Sequence, residues 1–447
     1  MKKIIALVAA AAFVLSLAGM ASAAHQGRAN LSTSGYLQVG VGFGENTNFQ
    51  KEDGDEFVAD QRLRQYFDYV ASENLSATVG YEFNSVWGDS DAQVGADATG
   101  QLSLKRAMME FTWPGTEAEM RGGIQYIALP SVAMGASPVL AGDMAGVTLS
   151  TPMGEMADLT VGWTRGYENT TDNASPGMDS FFAALPINMD GMSMAPFAMY
   201  TVIGQNTNGT ALTTDATDYR SGFVTPNGQL SLGNDNANAY WLGSNFEMTS
   251  MDPIGVKASF IYGSLNTDQE VNERAGWYAD LSVDYKMEAM TPEFFAFYSS
   301  GEDDDASDGS EVMPYVFNDG LTSQGPSMMI GDMTSLGITS TGANLLQSNP
   351  VGLWSAGMSL KHIQLMDKLS ATLTGAYYQG TSDDGVNNAA IALTEEDSAW
   401  DLTASSSYQL YDSLTAIVEA GYAKKDMDNN TDDEPATRFA AGLNYSF

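Results

Sequence analysis

The chain has 447 residues, a formal net charge of −37 and no cysteine. The lack of cysteine removes disulfides, thiolate metal centres and cysteine nucleophiles together, and so large an acidic excess repels nucleic acid. With 44% hydrophobic residues the chain is too apolar to be disordered, yet past the N-terminus no stretch approaches the ~20 consecutive apolar residues of a membrane helix.

In chain order, the first element is a processing segment. Lys2 and Lys3 precede an almost unbroken apolar run from Ile4 to Leu17, and Ala21-Ser22-Ala23 has the A-x-A form of a cleavage site. Residues 1–23 are therefore expected to be a removed signal peptide, leaving 24–447 as one mature domain. Loss of the two lysines takes the net charge from −37 to −39.

From Thr33 onward, short runs of period-two alternation recur. Leu37, Val39, Val41 and Phe43 oppose Tyr36, Gln38, Gly40 and Gly42. Leu75, Ala77, Val79, Tyr81 and Phe83 alternate with Ser76, Thr78, Gly80, Glu82 and Asn84. The scheme returns at Val256–Tyr262, Ala279–Tyr285, Leu402–Tyr408 and Leu414–Tyr422. Such alternation marks strands with one apolar and one polar face.

Two features favour a membrane barrel over a soluble sandwich. The polar faces carry Glu, Asp, Arg and Asn in strand after strand, which suits a water-filled lumen. Short connections, such as Ser72-Glu73-Asn74, Pro114 to Glu117, Asn188 to Met192, Met287 to Thr291 and Tyr411-Asp412-Ser413, trade with long acidic ones. The expectation is an all-β, transmembrane antiparallel barrel of about 18 strands in a Gram-negative outer membrane, with periplasmic turns and long outer loops. The pattern is weakest near Val147 and Phe181, which leaves 16 strands as the alternative. At the C-terminus Phe439, Ala441, Leu443, Tyr445 and Phe447 share a face, and the chain stops on an aromatic. This resembles the terminal strand read by the barrel-assembly machinery, an expected partner alongside outer-membrane lipid and lipopolysaccharide.

Catalysis finds little support. Imidazole is the usual general base near neutral pH, and only His25 and His362 exist. His362 shares the apolar parity of Trp354, Met358 and Leu360 near an expected turn. No G-x-S-x-G, phosphate loop or H-E-x-x-H occurs. Asp426-x-Asp428-x-Asn430 begins like a calcium loop, but Thr431 replaces the turn glycine and Thr437 the bidentate acid. Glu302-Asp303-Asp304-Asp305 and Glu395-Glu396-Asp397 read as hydrated loop surface, with weak divalent bridging to lipopolysaccharide as the alternative. No metal or cofactor is expected.

The interior charges are more informative. Arg62, Arg64, Arg106 and Arg121 all fall at lumenal parity in the first third of the chain. If Ser72-Glu73-Asn74 closes its hairpin, Arg64 lies opposite Glu82; if Pro114 to Glu117 closes the next, Glu110 lies opposite Arg121. Such pairs each contribute a few tenths of a kcal/mol. Arg62 and Arg106 are then expected to be free lumenal cations. Between Ile127 and Gly146 the chain is low in charge and rich in Leu, Val and Met, as expected of a segment folded into a lumen. Asp143 within it is the candidate to face the arginines.

These segments also carry a family resemblance. Asp60-Gln61-Arg62-Leu63-Arg64 and Val70-Ala71-Ser72-Glu73-Asn74-Leu75 resemble the outer-membrane homotrimeric porins of sulfate-reducing bacteria. Val86-Trp87-Gly88, Gly95-Ala96-Asp97, Arg121-Gly122-Gly123-Ile124-Gln125, Ala128-Leu129-Pro130 and Ser137-Pro138-Val139-Leu140 continue it in order. The match is dense over residues 57 to 168. It implies a trimer of barrels, each admitting small hydrophilic solutes and ions by passive diffusion. The Asp- and Met-rich loops, and Met108 at a lumenal position, depart from the pattern and leave selectivity open. One rival is a channel specific for a sugar or organic acid, although lumenal aromatics such as Tyr66 and Trp241 are too scattered for a ladder. The other is a structural or adhesive surface protein built on its acidic loops. Deleting residues 301–350 is expected to spare the conductance of a diffusion pore.

Overall fold

The computed structural model describes residues 30–47, 49, 56–88, 101–167, 177–204, 236–268, 270–305, 307–318, 325–330, 352–385, 393–428 and 434–447. The expected signal peptide, His25, Gly95, Ala96, Asp97, Asn430 and Thr431 lie outside them.

Alternating sequence becomes strand throughout. The first half comprises β1 (Asn30–Glu45), β2 (Glu56–Ser72), β3 (Leu75–Val86), β4 (Gln101–Thr112), β5 (Glu119–Ala128), β6 (Leu140–Pro152) and β7 (Asp158–Tyr167). Next come β8 (Met178–Ala184, resumed as Ile187–Met189), β9 (Met192–Ile203), β10 (Ala237–Met251), β11 (Ile254–Asn266) and β12 (Arg274–Tyr285). The set ends with β13 (Thr291–Ser299), β14 (Leu353–Met366), β15 (Leu369–Gly380), β16 (Ser398–Tyr411), β17 (Leu414–Asp426) and β18 (Ala436–Ser446).

Each strand pairs antiparallel with its chain neighbours, and β1 pairs with β18 from Tyr36↔Ser446 to Glu45↔Thr437. The ring of eighteen strands is thereby closed, with no edge left at the seam. Phe447 seals the join: its N–H donates to the Gly35 carbonyl at 3.0 Å, and its own carbonyl accepts from Gly35 at 2.9 Å. The region around Phe181 read weakly because Leu185-Pro186 interrupts β8, where proline cannot donate to the ladder.

The two faces separate as the alternation requires. Trp277, Tyr298, Tyr377, Trp400 and Tyr422 are exposed on the outer face, and Trp277 stacks on Tyr298 with centroids 4.5 Å apart. Tyr69, Tyr285, Tyr408 and Tyr445 are exposed toward the short-turn end. Aromatic belts around an apolar band mark a barrel that spans a membrane. Among the described residues no helix is long and apolar enough to cross one.

The lumen is not empty. Residues 129–139 join β5 to β6 inside it, where Leu129, Met134 and Val139 are buried. A second stretch, between β13 and β14, comes in to meet the first. Val316 donates to the Val139 carbonyl at 2.8 Å, and Phe317-Asn318 pairs in parallel with Leu140-Ala141. Trp241 donates its indole N–H to the Pro314 carbonyl at 2.7 Å, and Met328, Met329 and Ile330 are buried in the same core. The described residues of the 301–350 stretch are therefore not simply an outer loop as expected. The described parts at 310–318 and 325–330 fill lumen, because their apolar side chains find cover there.

Candidate functional site

The open side of the lumen is walled by β2–β4. Arg62, Arg64 and Tyr66 form a row on β2, and their register partners on β3 are Asn84, Glu82 and Gly80. Arg64 pairs with Glu82, its guanidinium 5.6 Å from the Tyr36 ring centroid. Arg62 donates through Nε to Asn84 Oδ1 at 2.8 Å, and Asn84 in turn donates to Glu82 at 2.8 Å. Gly80 is required by this packing: a Cβ there would lie 2.6 Å from atoms of the Tyr66 ring.

A β-bulge completes the cluster. Gly80 stands opposite Arg106 but Tyr81 stands opposite Leu104, so Lys105 is an extra residue. A bulge directs two successive side chains to one face, and Lys105 joins Arg106 in the lumen. Its Nζ lies 2.7 Å from Asp143 and 3.7 Å from Glu82. Arg106 Nε lies 3.1 Å from the other oxygen of Asp143. The Arg106 guanidinium lies 5.4 Å from the Tyr66 centroid and 5.9 Å from that of Tyr126.

Asp143 reaches this cluster because β5 and β6 outrun β4. The β4–β5 pairing stops at Ala107↔Ile124, whereas β5 and β6 stay paired up to Ala128↔Ala141, past Tyr126↔Asp143. Two expectations are corrected here. Asp143 lies within β6, not in an irregular loop spanning Ile127–Gly146. Arg106 is not a free cation, since Asp143 partners it, and Arg62 is hydrogen-bonded to a neutral amide.

Arg62, Arg64, Glu82, Arg106 and Asp143 thus come together, with Lys105 added. Its four cations outnumber its two carboxylates. Glu110 and Arg121 pair with each other as the register required, and Arg121 also meets Glu119 at 2.7 Å. That pair lies nearer the short turn, apart from the cluster, and Arg121 is nearly half exposed. Ion pairs so exposed contribute ~0–1 kcal/mol.

Sequence parity missed Lys105, because the bulge inverts the parity of every β4 residue beyond it. It also missed the second inward stretch, described at 310–318 and 325–330. Its signal was the apolar, Met-bearing pieces Val312-Met313-Pro314 and Met328-Met329-Ile330, set between acidic runs. Glu302 belongs to this packing and is not a hydrated loop acid. It is 6% exposed, accepts from Ser310 Oγ at 2.5 Å, and burial pushes its carboxyl above the usual range. His362 is exposed beside the β14–β15 turn. Asp303, Asp308 and Glu311 gather on the loop surface, where acidic groups are commonly just solvated.

No protein-family model matches the chain, and no curated protein matches it. Among solved structures it is similar to the outer membrane protein OprD from Pseudomonas aeruginosa, at 12% identity and TM-score 0.53, over 95% of this chain and 96% of that one. OccK2 (OpdF) of the same organism gives 10% identity and TM-score 0.57, over 94% and 98%. OccAB4 of Acinetobacter baumannii gives 10% and 0.54, over 94% and 99%. At these identities the likeness is one of fold: a closed eighteen-strand barrel of the outer-membrane type.

Proposed function

We propose that the protein is a non-enzymatic outer-membrane porin, a passive channel for small hydrophilic solutes and ions. The observation that carries this reading is the charged, partly solvated cluster on one lumenal wall of a closed barrel that inward segments narrow elsewhere. Such a channel selects by aperture and by the electrostatics of its lining. Arg62, Arg64, Lys105 and Arg106, set against Glu82 and Asp143 in the same cluster, make the aperture locally positive inside an acidic protein. A positive constriction favours anions at the narrowest point. Planar-bilayer recording in a salt gradient tests this. Arg62→Ala with Arg106→Ala should move the reversal potential toward cation preference, and an unchanged value would refute the aperture assignment.

Tyr36 and Tyr66 beside the arginines also favour a second reading, a channel with a preferred solute, since aromatic faces and guanidinium groups can hold a polar ring or planar group. Saturable block of the current by one solute class, absent for others, would select it.

The homotrimer implied by the resemblance is part of the proposal. Its support is the outer face of β4–β6. Along one register line Trp163, Phe181, Tyr200 and Tyr240 give way to Val147, Gly122 and Met109. The β4–β5 pairing there also ends early, at Ala107↔Ile124, and a wall with a shortened ladder is poorly suited to face hydrocarbon. Native mass spectrometry in mild detergent should show a trimer, and a monomer alone would remove that part of the reading. The terminal strand ending in Tyr445 and Phe447 is the proposed handle for the assembly machinery.

A further inference from the structure

The barrel wall holds a buried carboxylate that the cationic cluster does not use. Asp401 lies on the lumenal face of β16, 2% exposed, between outward-facing Trp400 and Leu402. Burying a carboxylate is costly unless it is well hydrogen-bonded, and a Leu or Ala would fill this wall position without that cost. Asp401 finds its partners on the second inward stretch. Ser327 donates its hydroxyl to Asp401 Oδ2 at 2.5 Å, and Met329 donates its backbone N–H to the same oxygen at 3.0 Å. Ser327 Oγ also accepts from the N–H groups of Met329 and Ile330, each at 3.2 Å, and lies 3.0 Å from the Tyr378 hydroxyl.

The residues around this contact sit tightly on the wall. Met328, Met329 and Ile330 are essentially fully buried. A Cβ on Gly325 would come within 2.2 Å of Thr374 Oγ1 and 2.9 Å of Ser359 Oγ, so the backbone there lies directly on β14 and β15. A carboxylate that accepts from both a hydroxyl and a backbone amide of one short turn acts as a staple for that turn. Hydrogen bonds to charged groups contribute more than neutral ones.

We infer that Asp401 is a positioning residue for the pore: it staples residues 325–330 to the barrel wall and so keeps them out of the remaining passage. The second half of this inference rests on the reading of the barrel as a channel; the first half does not. Asp401 makes its contact far along the chain from the arginine cluster, so the lumen is shaped from two walls by different means. One uses ion pairs to Asp143, the other a single carboxylate receiving neutral donors.

Hydrogen exchange of the full-length protein in detergent, paired with single-channel recording, tests both halves. Asp401→Ala should speed exchange at residues 325–330 by roughly tenfold or more, the consequence of losing both bonds to this carboxylate from a locally opening segment. It should also add transient blockades to the current. Asp401→Asn keeps one acceptor oxygen and should fall between Asp401→Ala and the parent protein. Ser327→Ala, which leaves the wall intact, should reproduce the faster exchange alone and add little on top of Asp401→Ala. Heat-modifiable migration on SDS gels reports whether each barrel is folded, and Ser327→Ala carries the test if Asp401→Ala does not fold. Unchanged exchange at 325–330 in folded Ser327→Ala overturns the staple. Faster exchange with a steady, parent-like current overturns its role in the passage. A parent protein that passes no ions refutes the channel reading instead, while the exchange data still decide the staple.

Discussion

Lys105 owes its place in the proposed aperture to one unpaired position in the β3–β4 ladder, and its ammonium bridges Asp143 and Glu82. Lys105→Met keeps the length and apolar stem of the side chain but removes the charge. It should shift the reversal potential toward cations without changing the yield of folded barrel, because Arg106 still holds Asp143; an unchanged potential would place Lys105 outside the ion path. Glu302 gives a second prediction at this scale. Burial is the main cause of its raised pKa, so the folded segment binds a proton that the unfolded one releases. The resulting stability is fully present below the ordinary carboxylate range and is lost as pH rises through the raised value. Protease protection of residues 301–318 should therefore weaken across that window, and Glu302→Gln should flatten the dependence. A profile identical to that of the parent protein would show that another group titrates.

Among the elements, β4 shows how one residue controls a strand. The alternation of Arg106, Met108 and Glu110 reads correctly from the short turn upward, and Glu110 and Arg64 meet the partners that counting from their hairpins assigns. Beyond the bulge, parity inverts, and Leu102 and Leu104 face outward with Lys105 set between them and the lumen. Deleting Lys105 would remove the extra residue and leave a regular ladder, in which Tyr81↔Leu104 follows Gly80↔Arg106 directly and Leu102 and Leu104 stay outward. The expected outcome is a parent-like yield of heat-modifiable barrel with the reversal potential shifted toward cations, as in Lys105→Met. A several-fold lower yield would mean that the bulge itself is needed for folding. Hairpins were legible because a tight turn fixes register locally. The bulge was not, because a strand carries no local mark of a residue that its partner fails to match.

At the scale of the whole molecule, the closed barrel sets the wall and the two inward stretches set what remains open. Replacing residues 301–350 by a short Gly/Ser linker should enlarge the conductance, contrary to the expectation for an outer loop, because Trp241, Asp401 and Val139 would lose the segments they hold. A conductance equal to that of the parent would show that these segments leave the passage unobstructed. Face polarity and the Arg64–Glu82 and Glu110–Arg121 pairings were determined by the sequence itself, which left the strand number between 18 and 16. Each follows from a period of two and from turns that couple residues close along the chain. Tertiary structure alone decided that Arg106 is bound to Asp143, that Lys105 joins the cluster and that Asp401 meets Ser327. Those contacts join residues distant along the chain, and they depend on where the β5–β6 hairpin parts from β4 and on which apolar loop segments find cover inside the barrel. Periodicity records which face a residue takes, but it holds no information about what the lumen brings opposite that face.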